Sequence, residues 1–419
     1  MLDHVIVVGA GIGGLSAAAA LAPFCKHITV LDKDRLVDGV RKAIPQGAHI
    51  HILLRAGLQS LEHLLPGISD ELEANGSVRI YLGRDQQTHE FGQWMPQRDL
   101  GVYFLSQSRP FLESVVRKRV MQLDNVTIRS GARVSQINVS MTDTQTKPSV
   151  ELADGEHIAA DAIVDAAGCS GPFIKKMDKS LGGLVRTDTF QSDIFYSTAH
   201  FKKVAPWDQQ NENILIIPDP GHSSIGGSLL SVEGDRWCVS LHGRKGAKPP
   251  KDFAQWQEFA QYLPDQRIWD RIKNAPITHE IKTFRKPLST WRRFDLCEKL
   301  PHGYLPAGDT FTSFNPIYGQ GMTVALGHAF SLRQSLEQYS DDFNTMRSHY
   351  ITRASKWSQF AWKRATTYDA YYSDSQEKAS KLAIIKKMVL AQHIKVKDDA
   401  EFHLKIANQS QMLELLAQG

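Results

Sequence analysis

A strand, a glycine loop and a helix at the start of the chain constrain its fold more than any other feature. His4 to Val8 is a short apolar run that stops at glycine, the pattern of a buried parallel strand. Gly9-Ala10-Gly11-Ile12-Gly13-Gly14 follows, and Gly13 to Ala22 is small and apolar, as a helix lying close on a sheet requires. His27 to Leu31 reads as a second strand, ending at Asp32 and Lys33. This order is a βαβ unit and predicts an α/β chain built on a parallel sheet. Gly9, Gly11 and Gly14 have the GxGxxG spacing. The first permits the tight turn, the second lets backbone approach a pyrophosphate, and the third lets helix and strand pack closely. Gly13 keeps the same turn small. The helix N-terminus offers free N–H groups and a positive dipole end to an anion. Asp32, about 20 residues further on, suits a carboxylate accepting from adenosine ribose hydroxyls. The motif predicts a dinucleotide site and does not separate FAD from NAD.

A second glycine signature lies about 300 residues later. Tyr304-Leu305-Pro306-Ala307 reads as a strand end, followed by Gly308-Asp309-Thr310. Asp309 can accept from a ribityl hydroxyl if the glycine lets the chain come close. Phe314-Asn315-Pro316-Ile317-Tyr318-Gly319-Gln320-Gly321-Met322 then leads into a helix expected just after Gly321. Reduction of a flavin puts negative charge near its N1/C2 carbonyl edge, and a helix N-terminus there would stabilise it. Pro316 and Gly319 would form a rigid wall over the ring. The paired signatures predict one FAD held by both ends of the chain.

The remaining features narrow the class. The 419 residues suffice for a large core and several sub-domains, and a net charge of +4 is too small to argue for nucleic acid. Cys25, Cys169, Cys238 and Cys297 form no CxxC pair, which argues against a metal site or a disulfide framework and fits a reducing, cytoplasmic compartment. The N-terminus lacks the basic region of a signal peptide, and no apolar stretch is long enough to span a membrane. Ile44 to Gly47 reads as a turn, and Ile52 to Leu65 as a helix stopped by Pro66-Gly67. Arg109 to Leu123 and Asp252 to Ile272 also read as helices. Val150 to Ala167 reads as a hairpin turning at Asp154-Gly155, then a strand. Strands are expected at Ile194 to Phe201, Ile214 to Ile217, Gly226 to Val232, Trp237 to Leu241 and Thr278 to Phe284. Beyond Ser340 the pattern is helical.

Together the signatures resemble those of the flavoprotein monooxygenases with the p-hydroxybenzoate hydroxylase fold, over residues 1 to about 345. Pro45-Gln46-Gly47, His49, His51 and the Phe314 to Met322 segment look closest to a branch with polyether-type epoxidases and tailoring hydroxylases. Arg109, in Ser108-Arg109-Pro110-Phe111, matches the family arginine or glutamine that reaches the flavin. The resemblance implies a Rossmann-like FAD-binding domain in two parts, residues 1–185 (with 76–106 contributing to the substrate sheet) and 291–345. Between them would lie a β-rich substrate domain at 186–290, and after them a helical region at 346–419. The family's middle motif carries an Asp-Gly pair, but here Ile163-Val164-Asp165-Ala166-Ala167-Gly168 puts Ala167 where the acid is expected, and Asp165 would point elsewhere. Electrons would therefore come from NADPH or NADH bound transiently, or from a separate reductase. No second GxGxxG and no CxxxxC pair is present, which counts against a disulfide reductase.

The chemistry implied is transfer of one oxygen atom from O2, through a flavin C4a-hydroperoxide, to an alkene or aromatic ring of a small molecule. The β-rich region should roof the pocket. Phe195, Tyr196, Trp237 and His242 alternate there with smaller residues, and a pocket-lining face would be apolar and aromatic. His49, His51, Tyr196 and Pro316 are the pocket candidates. His49 and His51 share a face if extended, but with no third ligand nearby they argue for a role near the flavin edge or in local hydrogen bonding and not for metal. Arg55 reads either as a ligand contact or as a solvated helix residue. The C-terminal region carries Trp357, Trp362, Tyr368, Tyr371 and Tyr372, then a run from Lys381 to Lys395 that mixes Leu382, Ile385, Met388 and Val389 with lysines. A basic amphipathic helix of this kind could cover the core, or touch a membrane or a partner. The alternatives from the residues are a flavin dehydrogenase of the same fold and a non-catalytic FAD-binding protein. A halogenase would need a WxWxIP signature and a lysine near position 80, both absent.

Overall fold

The computed structural model describes residues 2–36, 41, 45–143, 145–180, 183, 185–219, 222–244, 246–370, 372 and 377–417. Ile44 and Tyr371 lie outside them, as do the side chains of Lys381, Leu382 and Ile385. In chain order the first half comprises β1 (Leu2–Val8), α1 (Ile12–Leu21), β2 (Cys25–Asp32), α2 (Arg55–Leu64), α3 (Ile68–Ala74), β3 (Val78–Tyr81), β4 (Gln86–Glu90), β5 (Gln93–Trp94), β6 (Tyr103–Ser106), α4 (Arg109–Met121), β7 (Val126–Ser130), β8 (Val134–Asn138), β9 (Ser149–Leu152), β10 (His157–Ala159), β11 (Ala162–Asp165) and α5 (Pro172–Ser180). The second half comprises β12 (Thr187–Lys202), β13 (Asn213–Ile216), β14 (Ile225–Val232), β15 (Arg236–Gly243), α6 (Phe253–Gln261), α7 (Arg267–Ile272), β16 (Ile277–Arg292), β17 (Tyr304–Pro306), β18 (Thr312–Ser313), α8 (Gly321–Tyr339), α9 (Phe343–Ala370), α10 (Glu377–Asp398), α11 (Ala400–Ser410) and α12 (Glu414–Ala417).

Five parallel strands form the first sheet, in the order β17-β11-β1-β2-β7. Val5, Val7, Ile28, Val30 and Val164 are fully buried between it and α1. Helix α1 carries alanine at four successive positions, so its backbone lies close on the sheet. Helix α8 packs on α1, and α9 packs on α8 where a Cβ at Gly327 would fall 2.2 Å from the Trp357 ring. Only glycine lets the two helices approach this closely.

The second sheet is largely antiparallel, in the order β18-β16-β12-β15-β14-β13-β4-β5. One face buries Phe201, Trp237, Val239 and Leu241 against Trp256 of α6 and Ile268 of α7. The other carries Tyr196, Ser240 and His242 toward segment 49–54 and the 316–319 turn. The expected strands at 194–201 and 278–284 are much longer here. Pro287 cannot donate to a ladder, but it sits where β12 breaks register between Gln191 and Ile194, so pairing resumes beyond it. The helix expected over 252–272 is two helices. Pro264 keeps Leu263 out of helical geometry, and the chain turns between Gln261 and Arg267. The helix expected from Ile52 starts at Arg55, leaving 50–54 without regular secondary structure. Arg55 is half-buried and does not line the cavity described below, its guanidinium lying 4.1 Å from the Tyr103 ring centre. In α10, Val389 is buried, Met388 is exposed, and Lys386 lies 3.6 Å from Asp219. Among the described residues no helix is long and apolar enough to cross a membrane.

Candidate active site

Three loops leave the same edge of the parallel sheet. Strands β1, β11 and β17 are neighbours in register, with Val8 opposite Asp165 and Asp165 opposite Pro306. The register sets the two glycine signatures side by side. A Cβ built on Gly13 would lie 3.5 Å from the Gly308 Cα, an ordinary contact. A Cβ on Gly14 would fall 1.8 Å from the Gly9 carbonyl oxygen, so Gly14 is dictated by helix–strand packing. A Cβ on Gly321, which opens α8, would meet nothing within 4 Å, so packing does not explain that glycine.

Helix α1 begins at Gly11 with no side-chain cap and no acidic residue in its first turn. Its first N–H groups therefore have no intrahelical acceptor and no side-chain acceptor from the cap. Gly11 has φ −80°, open to any residue. Gly11→Glu should therefore fold, because a carboxylate is tolerated at a helix N-terminus. It should nonetheless lower FAD affinity by about 100-fold or more, since it puts a second anion where the pyrophosphate belongs, with an unfolding free energy within about 1 kcal/mol of wild type. Normal flavin content in purified Gly11→Glu would remove the pyrophosphate assignment.

At the head of the second loop Gly308 adopts φ +56° and turns Asp309 into the cleft. Burial raises the Asp309 pKa, and Lys286, Arg109 and Arg292 oppose the shift through charge alone. Among the described residues its carboxylate takes no hydrogen bond. Each of the three cations has other partners. Lys286 donates to Ser313 at 2.7 Å, Arg292 to the Thr310 carbonyl at 2.6 Å, and Arg109, first residue of α4, lies 3.8 Å from Glu113. The Nε of Arg109 makes that ion-pair contact but is buried without a hydrogen-bond partner among the described residues. Met322 is buried in the main core, so only its backbone faces the loop region.

Asp32 is less free than the sequence suggests. Its Oδ2 accepts from the Ala10 N–H at 2.7 Å and from Arg41 Nη2 at 2.5 Å, and its Oδ1 accepts from the Asp34 N–H at 2.8 Å. A carboxylate has about four acceptor positions, so one remains for a ribose hydroxyl. Arg41 also donates to the Ala10 carbonyl at 2.9 Å and to Glu113 at 2.6 Å. Sequence reading missed this buried Asp32–Arg41–Glu113 group, whose members share no local motif. Lys33 is exposed. Asp165 does point away from the cleft. It is fully buried and accepts from the Tyr304 hydroxyl at 2.9 Å, the Thr310 hydroxyl at 3.2 Å and the Ala167 N–H at 3.1 Å. It ties β11 to β17 and to the Gly308 turn.

Beyond the loops a cavity of about 140 Å³ lies between the second sheet, the Pro316–Tyr318 turn and segment 49–54. His49, His51, Tyr196 and Pro316 all line it. Phe195 and Trp237 do not. Strand alternation puts them on the opposite face, Phe195 against Phe259 and Trp237 in the second core. The cavity wall is mixed, not uniformly apolar as expected. Ile50, Leu215, Ile217 and Phe284 face it together with Ser228, Ser240 and His242.

The cavity imidazoles are held neutral. Burial, with His200 adding to it, brings His49 down to about 4. Burial and then Arg109 bring His51 to about 3, and burial and then Arg244 bring His242 to about 3. His49 Nδ1–H donates to Thr198 at 2.7 Å, and Thr198 donates to Ser240 at 2.8 Å. His51 Nε2–H donates to the Gln46 carbonyl at 2.8 Å. These bonds select one tautomer of each ring. The Tyr196 hydroxyl donates to Asn315 Oδ1 and accepts from the Ile317 N–H at 3.0 Å, tying the sheet to the turn.

Residues 3–342 match the FAD binding domain family. The chain is 31% identical to "Protein Rv3254" of Mycobacterium tuberculosis, covering 80% of this chain and 73% of that one. It is also 31% identical to FAD-dependent monooxygenase ntnJ of Nectria sp, over 88% of this chain and 84% of that one. Its fold is that of 2-methyl-3-hydroxypyridine-5-carboxylic acid oxygenase, with a TM-score of 0.66 at 18% identity over 88% and 92% of the two chains. Fold and cleft thus define a flavoprotein of the p-hydroxybenzoate hydroxylase fold. The chain belongs to the FAD binding domain family, and it is an FAD-dependent oxidoreductase of the monooxygenase group. The cleft fits the cofactor, with an uncapped helix start for phosphate, an unpartnered carboxylate at Asp309 for a hydroxyl, and unfilled space at Gly321.

Proposed function

We propose that this enzyme hydroxylates or epoxidises an apolar or aromatic small molecule, with NADPH or NADH supplying two electrons directly or through a reductase. One atom of O2 enters the substrate and the other leaves as water. The observation that carries this reading is a partly apolar cavity against the Pro316–Tyr318 turn, on the segment that runs from the Gly308 loop into α8. FAD, when bound, supplies the redox and oxygen chemistry. Residues 1–185 and 291–345 would hold it, through Gly9, Gly11, Gly13, Gly14, Asp32, Lys33, Arg109, Gly308, Asp309, Pro316, Gly319, Gly321 and the Met322 amide. Residues 186–290 would roof the substrate. The chain's own tasks are to orient the substrate, exclude water and offer neutral hydrogen-bonding groups at His49, His51 and Tyr196. Their neutrality suits an uncharged part of the substrate at the sheet wall, while Arg364 lines the cavity from α9.

Anaerobic titration of the FAD-loaded protein with NADPH, then NADH, tests the electron source. Bleaching of the oxidised flavin absorbance is expected. No bleaching by either, with dithionite still effective, would point to a substrate-gated enzyme or a separate reductase. Turnover under ¹⁸O₂ tests the reaction. One labelled oxygen in the product is expected, and a product oxidised without label would make the enzyme a dehydrogenase.

A further inference from the structure

The family match ends at residue 342, yet the turn that walls the cavity is held by a residue beyond it. Asp369 lies in the last turn of α9, its side chain 1% exposed. Its Oδ1 accepts from Arg244 Nη1 at 2.6 Å, from the Tyr318 hydroxyl at 2.7 Å and from Asn315 Nδ2 at 3.1 Å. Arg244 follows β15 and is 2% exposed. It also donates to the Tyr318 hydroxyl at 2.8 Å and stacks 4.1 Å from the Tyr372 ring centre. Burial opposes the charge on Arg244, but Tyr318, Asp369 and Tyr372 outweigh it and hold its pKa up. Asn315 then carries the arrangement into the cavity, its Oδ1 accepting from Tyr196 and from the Ile317 N–H.

A buried ion pair is a weak source of stability, because desolvating two charges costs about what their attraction returns. What this pair does is fix a position. The segment from Asn315 to Gly319 has one short turn and no ladder partner of its own, and Asn315 bonds both Tyr196 of the sheet and Asp369 of α9. Asp369 gathers Asn315 and Tyr318 from that segment and Arg244 from the sheet onto one carboxylate. The two charges sum to zero, so the pair holds the turn without adding net charge beside the cavity.

We propose that Asp369 and Arg244 are positioning residues for the flavin-facing turn, contributed jointly by the C-terminal helix and the second sheet and balanced in charge. The proposal rests on the reading that this turn faces the flavin. Reduction adds negative charge to the flavin. An uncompensated Arg244 would favour the reduced form through a poorly screened Coulomb interaction, and an uncompensated Asp369 would disfavour it.

The test is the midpoint potential of bound FAD in the full-length protein, with FAD affinity and apoprotein unfolding measured alongside. Asp369→Asn keeps the shape and removes the negative charge. It should raise the potential by the equivalent of at least a tenfold preference for reduced FAD, about 30 mV for a two-electron couple. Arg244→Gln should lower it by a similar amount, and the double variant should return most of the way. Shifts of opposite sign are something a merely structural role does not produce. Shifts of the same sign, or none, would overturn the proposal even if both variants unfold more easily. If a single variant loses FAD, Tyr318→Phe decides the matter. It keeps both charges and should change the visible circular dichroism of bound flavin, and an unchanged spectrum would overturn the positioning role. Failure of the wild-type protein to bind FAD would instead refute the reading of the cleft on which the proposal rests.

Discussion

Asp309→Ala is expected to give a folded protein that purifies nearly colourless. The carboxylate takes no hydrogen bond among the described residues, and Lys286, Arg109 and Arg292 beside it have other partners. Its loss should therefore change the apoprotein's unfolding free energy by less than about 1 kcal/mol. The cofactor loses more. A hydrogen bond from a ligand hydroxyl to a charged acceptor is worth about 1.5–3 kcal/mol, and on that scale the FAD dissociation constant rises by roughly 10- to 150-fold. The ratio of flavin to protein absorbance after purification reads the first effect, and calorimetric titration with FAD the second. Unchanged flavin content would sink the ribityl assignment, and a large loss of apoprotein stability would mean that Asp309 has a structural role.

Gly14→Ala should do the opposite and damage the fold itself. Its Cβ would fall 1.8 Å from the Gly9 carbonyl oxygen and 2.9 Å from the Gly9 carbonyl carbon. Both are backbone atoms, so no side chain can rotate away. Helix α1 must lift off β1, opening contacts among Val7, Leu15, Ala18 and Val30, all fully buried. Overpacking of this kind costs about 1–3 kcal/mol where neighbours can yield, and more is expected here. Urea unfolding of the apoprotein measures it. The control is Gly13→Ala one residue earlier, whose Cβ would meet Gly308 at an ordinary 3.5 Å. That variant should unfold like the wild type. Equal stability of Gly14→Ala and Gly13→Ala would refute the packing argument.

The site was legible in the sequence wherever its parts are contiguous. Gly9 to Gly14 and Asp32 belong to one βαβ unit, so their spacing alone places them at one strand end. Pro264 is a local signal for the break between α6 and α7 that the reading of 252–272 as one helix did not use. Other features had no local trace. Nothing near Asp32 announces Arg41 or Glu113, and nothing in α9 marks Asp369 as the partner of Arg244. A single carboxylate in a helix reads as a solvated residue until the fold buries it. The polarity of the cavity was misjudged for a related reason. Alternation says that Phe195 and Tyr196 face opposite ways but not which face is dry, and the larger aromatic residues proved to be in the core.

By itself the sequence determined the kind of protein. Short-range rules govern glycine turns, helix starts and the βαβ unit, and they act through neighbours in the chain. The tertiary structure decided how those parts meet. The register of β1, β11 and β17 brings Gly13 against Gly308, and the packing of α9 on the second sheet brings Asp369 to Arg244. Those contacts join residues more than a hundred positions apart. They depend on which strands become neighbours, and that is settled by burial of whole faces and not by any local pattern.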